Sequence, residues 1–181
     1  MNLIEKTLKQ NHIYKGRIIN MRVDDALLPN GKTACREIVE HNGGVCVVAL
    51  TEKDEVYLVK QFRYPYMETI YEIPAGKRDG DEDPLVGAIR ELKEETGCTA
   101  QTIIPLGRLY PSPGYCDEVI YMFAATGLKE GEKNLDEDEF LEAEIFPLET
   151  VVEKILSGEI TDAKTQTAVL KVAELKRQGK L

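Results

Sequence analysis

Residues 76–98 read GKRDGDEDPLVGAIRELKEETGC, and they contain the signals for both ends of a helix. Asp83 is a suitable N-cap, Pro84 suits the first helical position, and Gly97 stands where a helix should end. The pattern therefore predicts a helix over residues 84–96. A strand-like run, IYEI at residues 70–73, precedes the glycine turn at the start of the stretch.

The predicted helix has an apolar side and an acidic side next to it. The apolar stripe, placed at about 100° per residue, is expected to pack and consists of Leu85, Ala88, Ile89 and Leu92. The acidic stripe consists of Glu91, Glu94 and Glu95. Acidic side chains four apart on a helix repel each other by roughly a few tenths of a kcal/mol. Two explanations are open: a solvated face on which Arg90 offsets Glu94, or a site for a hard divalent cation such as Mg²⁺.

The spacing of the fixed residues favours the cation site. It is similar, position by position, to the Nudix box G-x5-E-x7-R-E-U-x-E-E-x-G-U, in which U is an aliphatic residue. The matching residues are Gly76, Glu82, Arg90, Glu91, Leu92, Glu94, Glu95 and Gly97. A chance match of this kind has a frequency on the order of one in ten million. The one departure is Cys98 at the last aliphatic position, where a thiol behaves as a small apolar group.

Composition limits the class of protein. A chain of 181 residues with 43% hydrophobic and 30% charged residues fits a soluble globular protein with one core, or one core and a small appendage. The formal net charge of −9 argues against nucleic acid or an anionic membrane as a partner. The N-terminus lacks a secretion-signal pattern and no long apolar run occurs, so we expect a cytoplasmic protein. Four cysteines without a CxxC pair are expected to be reduced and mostly buried: Cys35, Cys46, Cys98 and Cys116.

The rest of the chain alternates between strand and turn signals. Extended candidates at residues 13–23 and 33–39, joined by turn residues 28–31, predict a small antiparallel β unit. An apolar run at residues 45–50 predicts a strand that is covered on both faces. Further strands are predicted at residues 56–63, 103–110, 119–125 and 142–147, and helices at residues 148–156 and 162–178, to which we assign no chemistry.

Three features outside the helix are candidates for binding or chemistry. Arg63, at the end of a predicted strand, is either a surface ion-pair partner or a bidentate phosphate clamp. The loop at residues 111–118 is rich in proline, and loops of this kind often carry binding groups. The acidic run at residues 130–139 is either a solvated loop or the source of a carboxylate that reaches the metals and accepts a proton from water.

Segments outside the box resemble the ADP-ribose pyrophosphatase branch of the Nudix hydrolases. They are VKQFRYP at 59–65, EIPAG at 72–76, YPSPG at 110–114, Arg36-Glu37 and LDEDEF at 135–140. Pro113 lies sixteen residues past Gly97, where this branch carries a proline. The resemblance implies an α/β fold, a Nudix α/β/α sandwich with a mixed sheet, preceded by a small antiparallel β domain. It implies domains at residues 1–40 and 41–181, and a homodimer that exchanges the N-terminal β domains.

The same resemblance assigns roles to individual residues. The implied metal ligands are Glu91, Glu94, Glu95 and the backbone carbonyl of Ala75. Arg63 is implied to contact the pyrophosphate or terminal ribose, and further substrate contacts are implied for Arg36 and Glu37, across the dimer interface, and for Pro113, Gly114 and Glu118. The general base or additional ligand is implied to be Glu139 first and Glu137 second. Glu82 and Arg90 are expected to support the ligands, with Arg90 orienting the glutamates. The aromatic side chain that stacks on the base is left open among Tyr14, Phe62, Tyr64 and Tyr66.

These roles together describe a hydrolase. Two or three Mg²⁺ ions, with Mn²⁺ as an alternative, neutralise the phosphate oxygens, position a water and acidify it. The implied reaction converts ADP-ribose to AMP and ribose 5-phosphate. Two other interpretations stay open: a Nudix hydrolase of another nucleotide, either a nucleoside triphosphate or another sugar nucleotide, and a module that senses ADP-ribose without cleaving it.

Overall fold

A computed structural model describes residues 2–135 and 140–181. The chain divides into two compact units. The first unit contains the residues up to Gly43 together with Tyr110–Val119. The second unit contains Gly44–Leu109 and Ile120–Leu181.

The first unit is built on an antiparallel sheet. Its strands are β1 at Lys6–Lys15, β2 at Ile19–Leu27 and β3 at Thr33–His41, and they lie in the order β1-β2-β3. The small antiparallel β unit is thus confirmed. The single extended segment at residues 13–23 is wrong, because a tight turn interrupts it: the amide of Gly16 donates to the carbonyl of Ile19 at 3.0 Å.

The described residues of the second unit form two sheets and three helices. The strands are β4 Gly44–Ala49, β5 Glu55–Arg63, β6 Glu68–Glu72, β7 Ala75–Lys77, β8 Thr99–Leu109, β9 Ile120–Lys129 and β10 Leu141–Pro147. One sheet has the order β10-β5-β6 and the other has the order β7-β4-β9-β8. The β4–β9 pairing is parallel and the other pairings in these sheets are antiparallel, so the second sheet is mixed. The helices are α1 Pro84–Thr96, α2 Leu148–Leu156 and α3 Ala163–Arg177.

Strand β4 separates two hydrophobic cores. Val45 and Val47 pack in the core that contains Ala88 and Leu92 of α1, whereas Cys46 and Val48 pack in the core that contains residues of α2 and α3. Every residue of β4 is buried, because successive side chains of a strand point to opposite faces and a helical layer covers each face. The strand covered on both faces is therefore confirmed, and with it the α/β/α sandwich.

The helix predictions are confirmed and the cysteine prediction is only half right. The bounds of α1 and α2 match residues 84–96 and 148–156, and α3 differs from residues 162–178 by one residue at each end. All four cysteines carry free thiols; Cys46 and Cys98 are buried, Cys116 is partly buried and Cys35 is exposed. None of the helices in the described part of the chain has the length and apolar character that a membrane span needs.

Candidate active site

Both ends of α1 are fixed by hydrogen bonds that set the register of its glutamates. The Asp83 side chain accepts a hydrogen bond from the amide of Leu85 at 2.8 Å, and Pro84 follows it. At the other end Gly97 adopts the left-handed conformation, with φ 76°, and its amide donates to the carbonyl of Lys93 at 2.8 Å.

The buried face of α1 is not the face that the apolar stripe predicts. Leu85 and Ile89 are 42% and 47% exposed, so the expectation that they pack is wrong. The side chains of Glu91 and Glu95 are buried instead, at 5% and 2% exposure, beside Ala88 and Leu92. The helix can bury two carboxylates because β7 and Arg90 supply them with contacts, and buried carboxylates need such partners.

The strand after the IYEI run receives both buried glutamates. The amide of Ala75 donates to Oε2 of Glu95 at 3.0 Å. A Cβ atom added to Gly76 would collide with the carboxylate of Glu91, so glycine is required there for space. The first residue of the motif therefore leaves room for a carboxylate supplied fifteen residues later.

Arg90 connects the acidic groups of the motif. Its Nη1 donates to Oε1 of Glu91 at 2.7 Å and to Oε2 of Glu94 at 2.9 Å, while its Nε and Nη2 bind the carboxylate of Glu82 at 3.2 and 3.1 Å. Nη2 also donates to the carbonyl of Lys77 at 3.1 Å. The hydrogen bonds to Glu82, together with Glu91 and Glu94, raise the pKa of Arg90. Arg90 in turn holds the pKa of Glu82 below its usual value.

Glu82 is partly buried beside the first turn of α1. Its Oε2 lies 2.8 Å from the position that a Cβ on Gly87 would take. Its backbone carbonyl accepts hydrogen bonds from Nε and Nη2 of Arg78 at 2.9 and 2.5 Å. These hydrogen bonds join the beginning and the end of the loop between β7 and α1.

Arg63 lies at the end of β5 and binds a buried carboxylate. Its Nε and Nη2 donate to Glu72 at 2.5 and 2.7 Å, and Glu72 is 1% exposed. Because Glu72 is buried, this contact is not the surface ion pair that is one of the two alternatives for Arg63. The Lys164 amine contacts the same carboxylate from α3.

The other five substrate-contact candidates lie in the first unit: Arg36, Glu37, Pro113, Gly114 and Glu118. Arg36 binds the exposed Glu5 through two hydrogen bonds of 2.9 and 2.6 Å, and Glu37 pairs with Val23 in the sheet. Glu118 lies 3.3 Å from Nδ1 of His41. A groove of about 470 Å³ in this unit is lined by Arg22, Ile38, Tyr110, Pro113, Gly114, Tyr115, Cys116 and Asp117.

Two residues for which the sequence predicts no individual role stand out in the structure. Glu72 lies in the IYEI and EIPAG segments, and Lys164 lies in the helix predicted at residues 162–178. They are 92 residues apart, so no local spacing could join them. The two candidates for the general base, Glu137 and Glu139, lie outside the described residues.

The donor chemistry of α1 fits a hard cation. Glu91, Glu94 and Glu95 offer carboxylate oxygens, which are the ligands that Mg²⁺ takes, and the Gly76 backbone leaves space at Glu91. Within residues 2–135 and 140–181, no set of three acidic, histidine or cysteine side chains is close enough to hold an ion by itself.

Two family models match the chain. The model of the NUDIX domain matches residues 40–166. The model of the nucleoside diphosphate sugar hydrolase N-terminal domain matches residues 5–39.

Similar proteins share most of their length with the chain. The ADP-ribose pyrophosphatase of Bacillus subtilis (strain 168) is 45% identical over 170 residues, which cover 93% of this chain and 92% of the relative. The methanol dehydrogenase activator of Bacillus methanolicus is 44% identical over 167 residues, covering 91% and 90%. The ADP-ribose pyrophosphatase of Mycobacterium tuberculosis (strain ATCC 25618 / H37Rv) is 34% identical over 172 residues, covering 92% and 82%. A crystal structure of an ADP compounds hydrolase superposes with a TM-score of 0.86 over 100% of both chains at 23% identity, which is a likeness of fold.

Proposed function

The chain belongs to the NUDIX domain family, and from this membership we propose that it is a hydrolase that splits the pyrophosphate bond of ADP-ribose, giving AMP and ribose 5-phosphate. The observation that carries the proposal is the burial of Glu91 and Glu95 against the backbone of Ala75 and Gly76. A solvated acidic face would leave these carboxylates in water. Two relatives with the name ADP-ribose pyrophosphatase, at 45% and 34% identity, support ADP-ribose as the substrate.

In the proposed reaction, the oxygen of a water attacks one phosphorus and the bond from that phosphorus to the bridging oxygen breaks. Glu91, Glu94, Glu95 and the carbonyl of Ala75 would hold Mg²⁺, or Mn²⁺ in its place. When bound, two or three such ions would supply positive charge for the phosphate oxygens and would lower the pKa of the attacking water. Arg90 holds Glu91 and Glu94 through one guanidinium group and so keeps their oxygens in place.

The proton of the attacking water needs an acceptor, and we assign this role to Glu139 first and to Glu137 second. The support is indirect: the amide of Asn134, shortly before the acidic residues, donates to the backbone carbonyl of Glu94 at 3.2 Å. Glu139→Gln is expected to lower kcat by about 10²- to 10⁴-fold, because general base catalysis is lost. Single-turnover kinetics measures the chemical step, with Glu137→Gln as the matched variant. If Glu137→Gln slows this step and Glu139→Gln does not, the assignment is reversed.

The central experiment follows ADP-ribose by anion-exchange chromatography. With Mg²⁺ we expect AMP and ribose 5-phosphate in equal amounts, no turnover in excess chelator, and recovery when Mg²⁺ is restored. Intact ADP-ribose after incubation with Mg²⁺, at concentrations where binding is measured, would show a sensing module instead. Turnover that persists undiminished in chelator would contradict the metal site.

A hydrolase of another sugar nucleotide is the second candidate. The match of residues 5–39 to the nucleoside diphosphate sugar hydrolase N-terminal domain favours it over a triphosphatase. GDP-mannose pyrophosphatases of Cronobacter sakazakii and Escherichia coli are 33% and 34% identical over 80% and 72% of this chain. Competitive turnover of ADP-ribose, GDP-mannose and a nucleoside triphosphate distinguishes the candidates by their kcat/KM values.

We further propose two domains, at residues 1–40 and 41–181, and a homodimer that exchanges the first of them. Exposed apolar side chains on the first two strands support this proposal, since such side chains are typical of an interface: Leu8, Ile13, Tyr14 and Ile19. In this assembly Arg36 and Glu37 would contact the substrate that is bound in the active site of the other chain. Light scattering after size exclusion is expected to give twice the mass of one chain, 20.3 kDa. A monomer at micromolar concentration would contradict the exchange.

A cytoplasmic location is part of the same proposal. Four cysteines with free thiols are its support, because disulfides are rare in reducing compartments. Cell fractionation is the direct test, and recovery of the chain outside the cytoplasm would contradict the proposed location.

A further inference from the structure

A buried cluster of charges joins the end of β5 to the start of α3. Glu72 is its centre: Oε1 accepts from Nε of Arg63 at 2.5 Å, and Oε2 accepts from Nη2 of Arg63 at 2.7 Å and from the amine of Lys164. Lys164 also donates to Oδ1 of Asp162 at 3.0 Å. The side chain of Lys164 is 12% exposed and that of Arg63 is 38% exposed. The cluster is therefore closed on the lysine side and open on the arginine side.

The charges of the cluster balance only when Lys164 is included. Arg63 and Lys164 are cations and Glu72 and Asp162 are anions, so the four groups sum to zero. Without the charge of Lys164 the three remaining groups, Arg63 included, would carry a net charge of −1. A negative charge at that place would repel an anionic diphosphate.

The hydrogen bonds to Glu72 use one edge of the Arg63 guanidinium group. Nε and Nη2 bind the carboxylate, and among the described residues Nη1 makes no hydrogen bond. A guanidinium held at one edge can offer its remaining donors to a phosphate oxygen in a fixed direction. Because Lys164 also offsets the negative charge of Glu72, that charge weakens the attraction of Arg63 for a phosphate less.

The same cluster is tied to the segment that receives the glutamates of α1. Oδ2 of Asp162 accepts from the amide and hydroxyl of Thr165 at 2.9 and 2.6 Å. The hydroxyl of Thr165 accepts from the amide of Ile73 at 2.9 Å. Ile73 lies two residues before Ala75, so the start of α3 fixes the chain next to the predicted metal ligands.

We propose that Lys164 is a positioning residue for substrate binding: it shares the carboxylate of Glu72 with Arg63 and so keeps Arg63 oriented toward the diphosphate, in a cluster without net charge. This inference rests on the proposed function and extends it to α3, a helix for which the sequence predicts no chemistry. Lys164 acts through Arg63 and need not touch the substrate.

The ionisation of the cluster is consistent with this role. Burial alone would lower the pKa of Lys164, but the charges of Glu72 and Asp162 outweigh it and raise that pKa, so the amine stays charged. The hydrogen bond to Glu72 raises the pKa of Arg63, and the more distant charge of Glu95 contributes in the same direction.

The test is a double-mutant cycle on Lys164 and Arg63. Lys164→Met is expected to raise KM for ADP-ribose about tenfold, which corresponds to a weakened charge-assisted hydrogen bond, with kcat changed less than about threefold. Its Kd for ADP-ribose, measured by calorimetry in chelator, is expected to rise by the same factor. In an Arg63→Met background the additional rise caused by Lys164→Met should be less than about twofold, because the two residues act as one unit.

Two further variants keep the result decisive. Lys164→Gln can still donate a hydrogen bond to Glu72 but has no charge, so it should raise KM by about the same factor as Lys164→Met. It replaces Lys164→Met in the test if the methionine variant folds poorly. Lys171→Met removes a lysine of the same helix whose amine contacts the carbonyl of Leu106, and should leave KM unchanged.

An equal rise in KM with and without Arg63 would overturn the inference, as would a folded Lys164→Gln variant with wild-type KM and Kd. In both cases the wild-type chain still cleaves ADP-ribose, so the proposed function stands. A wild-type chain that neither binds nor cleaves ADP-ribose would overturn the proposed function and this inference together.

Discussion

Glu95→Gln is expected to lower kcat for ADP-ribose by about 10²- to 10³-fold, the loss that follows removal of a group that stabilises charge in a transition state. Glu95 is 2% exposed and accepts a hydrogen bond from the amide of Ala75 at 3.0 Å. The amide oxygen of glutamine can accept the same bond, so the fold should persist while the negative charge is lost. Steady-state kinetics across Mg²⁺ concentrations, with thermal unfolding of the same sample, measures both effects.

The control for Glu95→Gln is Glu149→Gln on the exposed side of α2, which makes the same chemical change away from the site. It should leave kcat at the wild-type value. We expect the unfolding temperature of both variants to stay within about 3 °C of wild type. Near-normal turnover by Glu95→Gln would remove this carboxylate from the metal site.

Gly76→Ala is expected to cause the second large loss, in both stability and turnover. The added methyl group would occupy the space of the Glu91 carboxylate. That carboxylate has little freedom to move, because Oε1 is bound to Nη1 of Arg90 at 2.7 Å. We expect a loss of about 1–3 kcal/mol in the free energy of unfolding, typical of overpacking. Urea unfolding monitored by circular dichroism gives this value, and kcat is measured in parallel.

A second substitution separates the steric effect from the chemical effect. In Gly76→Ala/Glu91→Ala the carboxylate that collides is gone, so stability should recover relative to the single variant. Turnover should stay low, because a predicted metal ligand is missing. A Gly76→Ala enzyme with wild-type stability and kcat would mean that Glu91 can rotate away without consequence.

The sequence predicts α1 well because its signals are local. Asp83, Pro84 and Gly97 act on the backbone next to them, and the structure places the helix ends where these residues predict. The face of the helix that packs is predicted less well. Periodicity favours Leu85 and Ile89, but the partners of Glu91 and Glu95 come from β7, which the sequence pattern does not place beside the helix.

The surroundings of Arg63 show a second limit. A strand end and a family motif predict that Arg63 is a candidate phosphate contact, and its partner Glu72 is only nine residues away. Lys164 is 92 residues from Glu72, and only the packing of α3 brings the two residues together.

In the same way, residues 110–119 belong to the first unit through pairing with β3, where the amide of Val39 donates to the carbonyl of Tyr115 at 2.7 Å. Non-local contacts of this kind leave no periodic signal in a single sequence.

Strand β4 has a consequence for how the second unit tolerates change in length. Odd-numbered residues of β4, such as Val45, pack against the layer of α1, and even-numbered residues, such as Cys46, pack against the layer of α2 and α3. Inserting or deleting one residue would therefore turn the side chains beyond the change to the opposite face of the sheet. Every side chain beyond the change would then meet the wrong helical layer. Differences in length among related sequences should accordingly be confined to loops, and β4 should keep its number of residues.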